Sequence, residues 1–458
     1  MHKVYVDSKL LYAREGELLS DVLIENKCDT EHICGGKGIC KKCTVTVNGK
    51  SELSCQYKVE SDIFVITESY GEIRSHTGIY KVPADAQPCY VLDIGTTTLA
   101  LACVDGDLKT VTCTNPQRSF GADVMSRIAY CAENGVDALR DVLIDAVKEL
   151  FSQLPVLENA KLYVSGNVTM LHIFSGEDCS SLGVAPYTPV FLDGRYINGA
   201  DAGLNFIEKA EILPSVNTFV GADIVAGINY AGNPSGNNYN LLVDLGTNAE
   251  IVLYSENGGV CTSAAAGPCF EGGNISCGMS ASNGAIYAYS EKECKTISGV
   301  APKGICATGL IDIIATLVSK GIIDETGYMR REQTEIAEGV FITQNDVRQF
   351  QLAKSAVYSA VVTLLEKMGI TFEQVEKMYV SGGFSADINM ENAVKVGLFP
   401  VELSGKFKAV SNSSLTGTVK YACERNNLSV ITENIKYCDL STDSRFFDLF
   451  IENMSFGN

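Results

Sequence analysis

Four cysteines near the N-terminus have the spacing expected of a metal-cluster site. A [2Fe–2S] cluster takes four thiolate ligands, often three close together in sequence and one that returns from a later strand. The candidates follow the pattern C-x5-C-x2-C-x11-C and are Cys34, Cys40, Cys43 and Cys55. Gly35, Gly36 and Gly38 lie between the first two, and glycine accepts the positive φ angles that let a loop turn its N–H groups toward sulfur. The pattern favours a [2Fe–2S] site.

Two other chemistries remain open for these cysteines. A four-cysteine zinc site usually has two C-x2-C pairs, and this segment has one. A dithiol redox pair needs only Cys40 and Cys43, which leaves the other two cysteines and the glycines without a role.

Two later segments repeat a strand–Asp–x–Gly–Thr pattern. Residues 90–100 (YVLDIGTTTLA) match residues 241–251 (LLVDLGTNAEI), an offset of 151 positions. In each copy a hydrophobic strand ends in Asp, an apolar residue and Gly, and a second strand follows, which predicts a β-hairpin turned at the glycine. Because the offset is the size of a domain, we expect two related lobes rather than a short solenoid repeat.

The two hairpin turns have the chemistry of a phosphate site. A tight glycine turn exposes successive backbone N–H groups, which bind phosphate oxygens. Asp93 and Asp244 stand where a carboxylate can hold Mg2+ through water. One such turn is a weak signal, but two copies a domain apart are a strong one. The predicted phosphate contacts are Gly95, Thr96, Thr97, Thr98, Gly246, Thr247 and Asn248.

A third glycine signal follows the predicted strand at residues 377–380. Gly382 and Gly383, followed by Phe384, allow close approach to a flat ligand such as adenosine. Taken alone, the same residues are also compatible with a simple turn from a strand to a helix.

The composition limits the class of protein. The chain has 458 residues, too many for one hydrophobic core, and a formal net charge of −19. An acidic surface repels phosphate backbones and anionic lipid, so we expect neither nucleic acid nor a membrane as partner. The N-terminus has no signal-peptide pattern, and no apolar run approaches the roughly 18 residues of a transmembrane helix. Despite 17 cysteines, we expect a reduced, cytoplasmic protein.

The predicted elements divide the chain into four parts. Residues 1–68 combine short strands with one helix at residues 18–25, which is typical of a small α+β domain of the [2Fe–2S] ferredoxin-like kind. Residues 69–88 are polar and turn-rich and are predicted to be a linker. Residues 89–235 and 236–458 each hold one copy of the repeat and are the two predicted lobes.

Helical spacing of apolar residues appears between the strands of both lobes. It predicts helices at residues 137–150 and 348–368, so an α/β fold is expected. The buried face of the second helix is predicted to hold Leu352, Ala353, Ala356, Val357, Ala360, Leu364 and Leu365.

The order of these motifs resembles the superfamily of acetate kinase, sugar kinases, Hsp70 and actin. In that superfamily two ribonuclease-H-like lobes close over ATP. The resemblance covers residues 89–458 and implies that residues 221–227 and 413–418 belong to the two crossing helices that connect the lobes.

Further motifs resemble one family, the reductive activators of corrinoid proteins. They are NPQ (115–117), GADV (121–124), GNVTM (166–170), AAGPCFEGG (265–273), CGM (277–279), QLAK (351–354) and GLFP (397–400). The resemblance implies a [2Fe–2S] cluster, ATP and Mg2+ as cofactors, and ATP-dependent reduction of Co(II) to Co(I) in a corrinoid (cobalamin-binding) protein of a methyltransferase system. It also implies an external low-potential electron donor and a homodimer.

The resemblance suggests roles for further residues in the cleft. Asp93 and Asp244 are expected to position Mg2+ and the attacking water, and Asn167 and Glu271 are expected to line the same cleft. Ser263 is a candidate to face the partner's cobalt, although a surface-loop serine is the simpler reading. His172 is more typical of a core or capping histidine than of a catalytic one.

The chain departs from the family pattern in three places. Larger members carry a sizeable domain between the cluster domain and the ATPase, where this chain has only residues 69–88. The stretch from Cys43 to Cys55 is short, and Cys269 stands where alanine is usual. Three other functions remain open: a small-molecule kinase with an appended ferredoxin, a different ATP-driven reductase activator, and an electron carrier with an inactive nucleotide site.

Overall fold

The structure is a computed structural model of the whole chain. It describes residues 1–6, 9–26, 28, 36–38, 43–66, 80–121, 123–382 and 387–456. Cys34, Cys40, Gly383, Phe384 and most of the predicted linker lie outside the described residues.

The N-terminal domain is a mixed sheet with one helix, as predicted. Helix α1 (Leu19–Glu25) packs against strands whose alternate side chains point to the core, among them Val4 and Val6. The five-stranded sheet has the order β2-β1-β7-β4-β5, with β1 and β7 parallel, and β3 pairs with β6. The strands are β1 (His2–Val6), β2 (Lys9–Ala13), β3 (Glu17–Leu18), β4 (Thr44–Val47), β5 (Lys50–Leu53), β6 (Lys58–Val59) and β7 (Ile63–Ile66).

The first lobe is a six-stranded sheet of order β10-β9-β8-β11-β13-β12 with helices packed against it. Its strands are β8 (Cys89–Ile94), β9 (Thr98–Val104), β10 (Leu108–Thr114), β11 (Lys161–Gly166), β12 (Arg195–Asn198) and β13 (Lys209–Ile212). Its helices are α2 (Val124–Asn134), α3 (Asp137–Phe151), α4 (Val168–Ser175) and α5 (Ala222–Ala231). The end of the predicted linker contacts this lobe, because Tyr80 packs on its core.

The second lobe has a six-stranded sheet of order β23-β22-β14-β15-β16-β24 and two small sheets. Its strands are β14 (Tyr239–Leu245), β15 (Ala249–Ser255), β16 (Gly258–Ala264), β17 (Ala285–Tyr289), β18 (Cys294–Thr296), β19 (Gly304–Ile305), β20 (Gln333–Ala337), β21 (Val340–Thr343), β22 (Val375–Ser381), β23 (Phe407–Ala409) and β24 (Ile435–Tyr437). Its helices are α6 (Ala307–Ser319), α7 (Gln344–Met368), α8 (Met390–Lys395), α9 (Ser413–Glu424), α10 (Ser429–Asn434) and α11 (Ser444–Glu452).

The two large sheets share one topology. In each, three antiparallel strands (β8 to β10, β14 to β16) are continued on the other side of the first strand by two parallel strands. Asp93 pairs in register with Ser165, and Asp244 pairs in register with Ser381. The predicted repeat of two related lobes is therefore confirmed, down to the partner of each aspartate.

Helices α5 and α9 cross in close contact between the lobes. A Cβ placed on Gly417 of α9 would lie 1.8 Å from the backbone oxygen of Ala226 in α5, so only glycine permits this approach. Although α9 follows the second large sheet in sequence, its Leu415 and Val419 are buried in the core of the first lobe. The two predicted crossing helices are thus present, and each lobe contributes one.

Two details of the predicted helix at residues 348–368 are wrong, its start and one residue of its buried face. Helix α7 begins at Gln344, earlier than predicted, because Thr343 and Asp346 form a capping box. Of the seven residues assigned to its buried face, Leu352 is 40% exposed while the other six are buried, because Leu352 lies at the edge of the packed stripe. Among the residues that the structure describes, no helix is long and apolar enough to cross a membrane.

Candidate nucleotide and cysteine sites

The two predicted phosphate turns line one cleft of about 1120 Å³ between the lobes. The Gly95 N–H donates to the Thr98 carbonyl at 3.0 Å, and the Gly246 N–H donates to the Asn248 carbonyl at 2.9 Å, so each glycine closes its turn, and the second turn is one residue shorter than the first. A Cβ on Gly95 would lie 2.6 Å from the Thr98 oxygen. The first turn therefore needs glycine.

Glu271 joins the two turns. The Thr97 hydroxyl donates to Glu271 Oε1 at 3.0 Å, and the Thr247 hydroxyl donates to Glu271 Oε2. The carboxylate comes from the short 3-10 turn Pro268–Glu271, in the AAGPCFEGG motif. The Glu271 carboxylate thus contacts both turns, and both hydrogen bonds can form only while the turns stay close together.

Asp93 is buried at the end of β8 and is held by donors from distant parts of the chain. Ser414 Oγ donates to its Oδ1 at 2.6 Å, and Asn412 Nδ2 donates to its Oδ2 at 2.9 Å. Burial raises the pKa of Asp93 above its usual value, and these donors oppose the rise because they favour the carboxylate.

Three further carboxylates that line the cleft with Asp93 also have raised pKa values, and two of the three were not predicted. Burial raises the pKa of Asp244 to about 6, with Asp93 adding to the effect, and raises the pKa of Asp223 to about 7, with Asp244 adding to the effect. Burial also raises the pKa of Glu250 well above its ordinary value, again reinforced by its acidic neighbours. Oxygen ligands that repel one another suit a divalent cation such as Mg2+.

A buried arginine supports the first turn from behind, and the sequence analysis assigned it no role. Arg127 Nη2 donates to the Thr96 carbonyl at 2.7 Å, and Asn115 Nδ2 donates to the Gly95 carbonyl at 2.8 Å. Burial lowers the pKa of Arg127 to about 10. Because these donors hold the carbonyls of the turn, they fix its backbone orientation. In the sequence, the only indication of these two donors was the NPQ motif, which contains Asn115, and the GADV motif, which precedes Arg127.

The other predicted cleft residues are placed as follows. Asn167 caps α4 and donates from Nδ2 to the Thr96 hydroxyl at 3.0 Å, beside the first turn. Ser263 lies in the cleft, where its hydroxyl donates to Glu250 Oε1 at 3.1 Å. His172 is fully buried, as expected of a core histidine: its ring lies 2.7 Å from the Val168 carbonyl.

Gly382 also lines the cleft, with φ of +120°. A Cβ at this position would lie 2.4 Å from the backbone oxygen of Leu245. Close approach of two strands of the second lobe therefore requires this glycine, whether or not a flat ligand lies above it.

Two of the four predicted cluster cysteines are described by the structure, and their side chains lie close together. Cys43 and Cys55 are both buried, with their Sγ atoms 3.2 Å apart. Burial raises the pKa of the Cys43 thiol to about 11, while the buried Ser54 hydroxyl, which has no oxygen or nitrogen partner among the described residues, favours the thiolate. Two neighbouring buried thiols fit one edge of a metal cluster.

The other half of the cysteine set cannot be placed in the same way. Cys34 and Cys40 lie outside the described residues, and within the described ranges no three potential ligands converge on one point. Gly36 and Gly38 have φ of +78° and +71°, as predicted for this loop.

Two family models match the chain. One is described as the C-terminal domain of RACo, the ASKHA domain, and matches residues 238–458. The other is described as the RACo middle region and matches residues 89–233, which is the first lobe. Together they match about four fifths of the chain.

Similar proteins carry consistent names. The chain is 26% identical over 573 aligned positions to the corrinoid activation enzyme RamQ of Eubacterium limosum, covering 96% of each chain. Because this alignment is longer than the chain itself, the relative has segments that the chain lacks. The chain is also 26% identical to the [Co(II) methylated amine-specific corrinoid protein] reductase of Methanosarcina barkeri, covering 80% of this chain and 76% of that one.

A solved structure agrees with both relatives. The reductive activator for corrinoid, iron-sulfur protein matches with a TM-score of 0.74 at 25% identity and covers 100% of this chain and 98% of that one. The lobe topology, the facing phosphate turns and these matches agree, and the chain belongs to the family of RACo-type reductive activators of corrinoid proteins.

Proposed function

We propose that this protein uses ATP to drive reduction of an inactive Co(II) corrinoid, held by a separate protein, to Co(I). The observation that carries the proposal is the pair of equivalent phosphate turns, ending β8 and β14, that face one cleft and are joined through Glu271. The names of the similar proteins favour this function over the alternatives of a kinase and of an inactive nucleotide site.

The cleft residues divide between binding and hydrolysis. The turns at 95–98 and 246–248 bind the phosphates through backbone N–H groups and hydroxyls. Asp93 and Asp244 hold Mg2+, with Asp223 beside them, and bound Mg2+ supplies the positive charge that neutralises the phosphates. Glu271 and Asn167 lie beside the turns, where they orient the attacking water. Gly382, with Gly383 and Phe384, borders the adenosine.

The N-terminal domain supplies the electron. Cys43 and Cys55, with Cys34 and Cys40, hold a [2Fe–2S] cluster, which when bound transfers one electron at a time. The source of the electron would be an external low-potential donor, and its acceptor would be the corrinoid protein of a methyltransferase system. We also propose that the protein is cytoplasmic, where thiols stay reduced, since no disulfide joins two of the described cysteines. We extend the proposal to a homodimer, which sedimentation tests directly.

The start of α9 links the nucleotide to the arrangement of the lobes. Ser414 contacts Asp93 and Ser165 of the first lobe, and the adjacent Ser413 lies 2.7 Å from Ser381 of the second lobe. Phosphates bound at the Asp93 and Asp244 turns therefore lie next to residues of both lobes that contact the start of α9. Closure of the lobes then changes how the protein grips its partner and alters the ligation of the cobalt.

The energy required is within reach of ATP. Raising one electron by 100 mV costs about 2.3 kcal/mol, so a gap of a few hundred millivolts lies in the range of nucleotide binding and hydrolysis. Shifting a two-state equilibrium from 1:99 to 99:1 takes roughly 5.5 kcal/mol.

The test uses anaerobically purified protein, which should contain two irons for each chain, together with a Co(II) corrinoid protein. In Asp244→Asn, which keeps the size of the side chain, we expect ATP hydrolysis and ATP-dependent appearance of the Co(I) absorption band to fall together. Asp105→Asn, at an exposed position in the first lobe, is the control. Loss of hydrolysis with undiminished Co(I) formation would refute coupling.

A further inference from the structure

The two described cysteines of the cluster site are joined to the glycine loop by one amide side chain. Gln56 follows Cys55 directly, and its Nε2 donates to the Gly36 carbonyl at 2.7 Å and to the Cys55 carbonyl at 3.0 Å. The same nitrogen lies 3.7 Å from Cys55 Sγ. The two hydrogens of the NH2 group serve three acceptors: one is directed to the Gly36 carbonyl, and the other faces both the Cys55 carbonyl and the ligand sulfur.

The backbone around Gln56 fixes its position. Its N–H donates to the Leu53 carbonyl at 2.9 Å in the turn that follows β5. A Cβ on Gly38 would lie 3.0 Å from Gln56 Cγ, so the side chain packs directly on the glycine loop. Gln56 therefore links the turn after β5 to the glycine loop across 20 residues of sequence.

We propose that Gln56 is a positioning residue that sets the reduction potential of the cluster by donating a hydrogen bond to the Cys55 sulfur. The reduced cluster carries one more negative charge than the oxidised cluster, and a donor at a ligand sulfur stabilises the more negative state. Gln56 thus raises the potential, while its second donor keeps the glycine loop against Cys55. The inference rests on the proposed cluster.

The test compares Gln56→Leu with the wild-type full-length chain, both reconstituted anaerobically. Leucine keeps the size of the side chain and removes both donors. We expect the midpoint potential to move to a more negative value. At a fixed solution potential the ratio of reduced to oxidised cluster should fall about threefold, or roughly 28 mV for a one-electron couple. Electron paramagnetic resonance of the reduced cluster follows the titration. Molecules without a cluster give no signal, so incomplete reconstitution does not change the measured potential.

A second variant and a control complete the design. Gln56→Glu replaces the NH2 group by a charged oxygen, so its potential should fall further than that of Gln56→Leu. Ser61→Ala, a neutral change at an exposed residue of the same turn region, should leave the potential unchanged. Potentials of both Gln56 variants equal to the Ser61→Ala value would overturn the inference, even if iron content fell. Wild-type protein without iron would instead refute the cluster itself, and the inference with it.

Discussion

Ser414 Oγ donates a 2.6 Å hydrogen bond to Asp93 Oδ1 across 321 residues of sequence. Asp93 ends the first strand of the first lobe, and Ser414 opens the helix α9 that crosses between the lobes. Ser414 also contacts Ser165, the register partner of Asp93, and the adjacent Ser413 makes the matching contact with Ser381, the register partner of Asp244. At the start of α9, Asp93 is therefore bonded to the helix directly and Asp244 is linked to it through Ser381.

Removing the Ser414 hydroxyl should weaken this junction. In Ser414→Ala we expect the free energy of unfolding to fall by ~1.5–3 kcal/mol, because a buried carboxylate loses a hydrogen bond. We also expect a smaller rise in melting temperature on addition of Mg-ATP, since Asp93 is less well held. Thermal unfolding with and without Mg-ATP measures both effects. Ser429→Ala, at an exposed position that opens α10, should match the wild type, and an equal ATP shift in both variants would contradict the role given to Ser414.

Glu271 should matter for hydrolysis more than for folding. In Glu271→Gln the amide can still bond to both Thr97 and Thr247, since a threonine hydroxyl can accept as well as donate. Removing the charge should lower kcat for ATP hydrolysis by about 10²–10⁴-fold if the carboxylate orients or deprotonates water. Steady-state hydrolysis and equilibrium binding of a non-hydrolysable ATP analogue separate the two effects.

A comparison variant makes the Glu271 result decisive. Glu256→Gln changes a carboxylate in the exposed turn between β15 and β16 and should leave kcat unaltered. We expect the analogue to bind Glu271→Gln at least as tightly as wild type, because one negative charge near the phosphates is gone. A normal kcat in Glu271→Gln would show that Glu271 has no role in hydrolysis and only connects the two turns.

Local patterns predicted most of the fold. The two Asp-x-Gly-Thr copies gave the hairpins at 89–104 and 239–255, because a hydrophobic strand, a glycine turn and a second strand are encoded within about fifteen residues. The helix spacing at residues 137–150 placed α3 within one residue at its C-terminal end. The convergence of Thr96, Thr97, Thr247 and Asn248 on one cleft followed from the offset of the two copies.

Residues brought to the site by tertiary packing escaped prediction. Asp223 lies in the first turn of a helix that was predicted, but its proximity to Asp244, far along the chain, was not. Glu250 faces the cleft because β15 alternates its side chains, but a charged residue in a strand ordinarily indicates a solvent face. Arg127 was given no role from the sequence, and it is completely buried beneath the first turn. Sequence spacing carries no record of such contacts.

His172 should make stability depend on pH in one direction. The Val190 N–H donates to His172 Nε2 at 3.0 Å, so the ring must be neutral there, and burial lowers its pKa. Glu177 favours the protonated ring and Arg195 opposes it, but burial is the larger effect. As the pH falls below about 6.5, the unfolded chain takes up the proton first. This contribution to stability is therefore complete above about pH 6.5 and is lost as the pH falls toward the folded-state pKa.

The variant His172→Gln isolates that contribution. It keeps an acceptor for Val190 but does not titrate, and it should be less stable than wild type by ~1–2 kcal/mol at pH 7.5 through the lost hydrogen bond to Val168. Urea unfolding at pH 7.5 and pH 5.5 should show the difference from wild type narrowing at the lower pH. A difference that is constant or widens would show that the ring is not held neutral.

Gly417→Ala tests the contact between the crossing helices. Alanine is about 1 kcal/mol better than glycine inside a helix, so propensity alone predicts a more stable protein. The structure predicts the reverse, because the new Cβ would lie 1.8 Å from the Ala226 oxygen and overpacking costs roughly 1–3 kcal/mol. We expect a lower melting temperature and weaker coupling of ATP hydrolysis to Co(I) formation. Gly405→Ala, whose Cβ meets nothing within 4 Å, should change neither. A stabilised Gly417→Ala would mean that α5 and α9 stand further apart in solution.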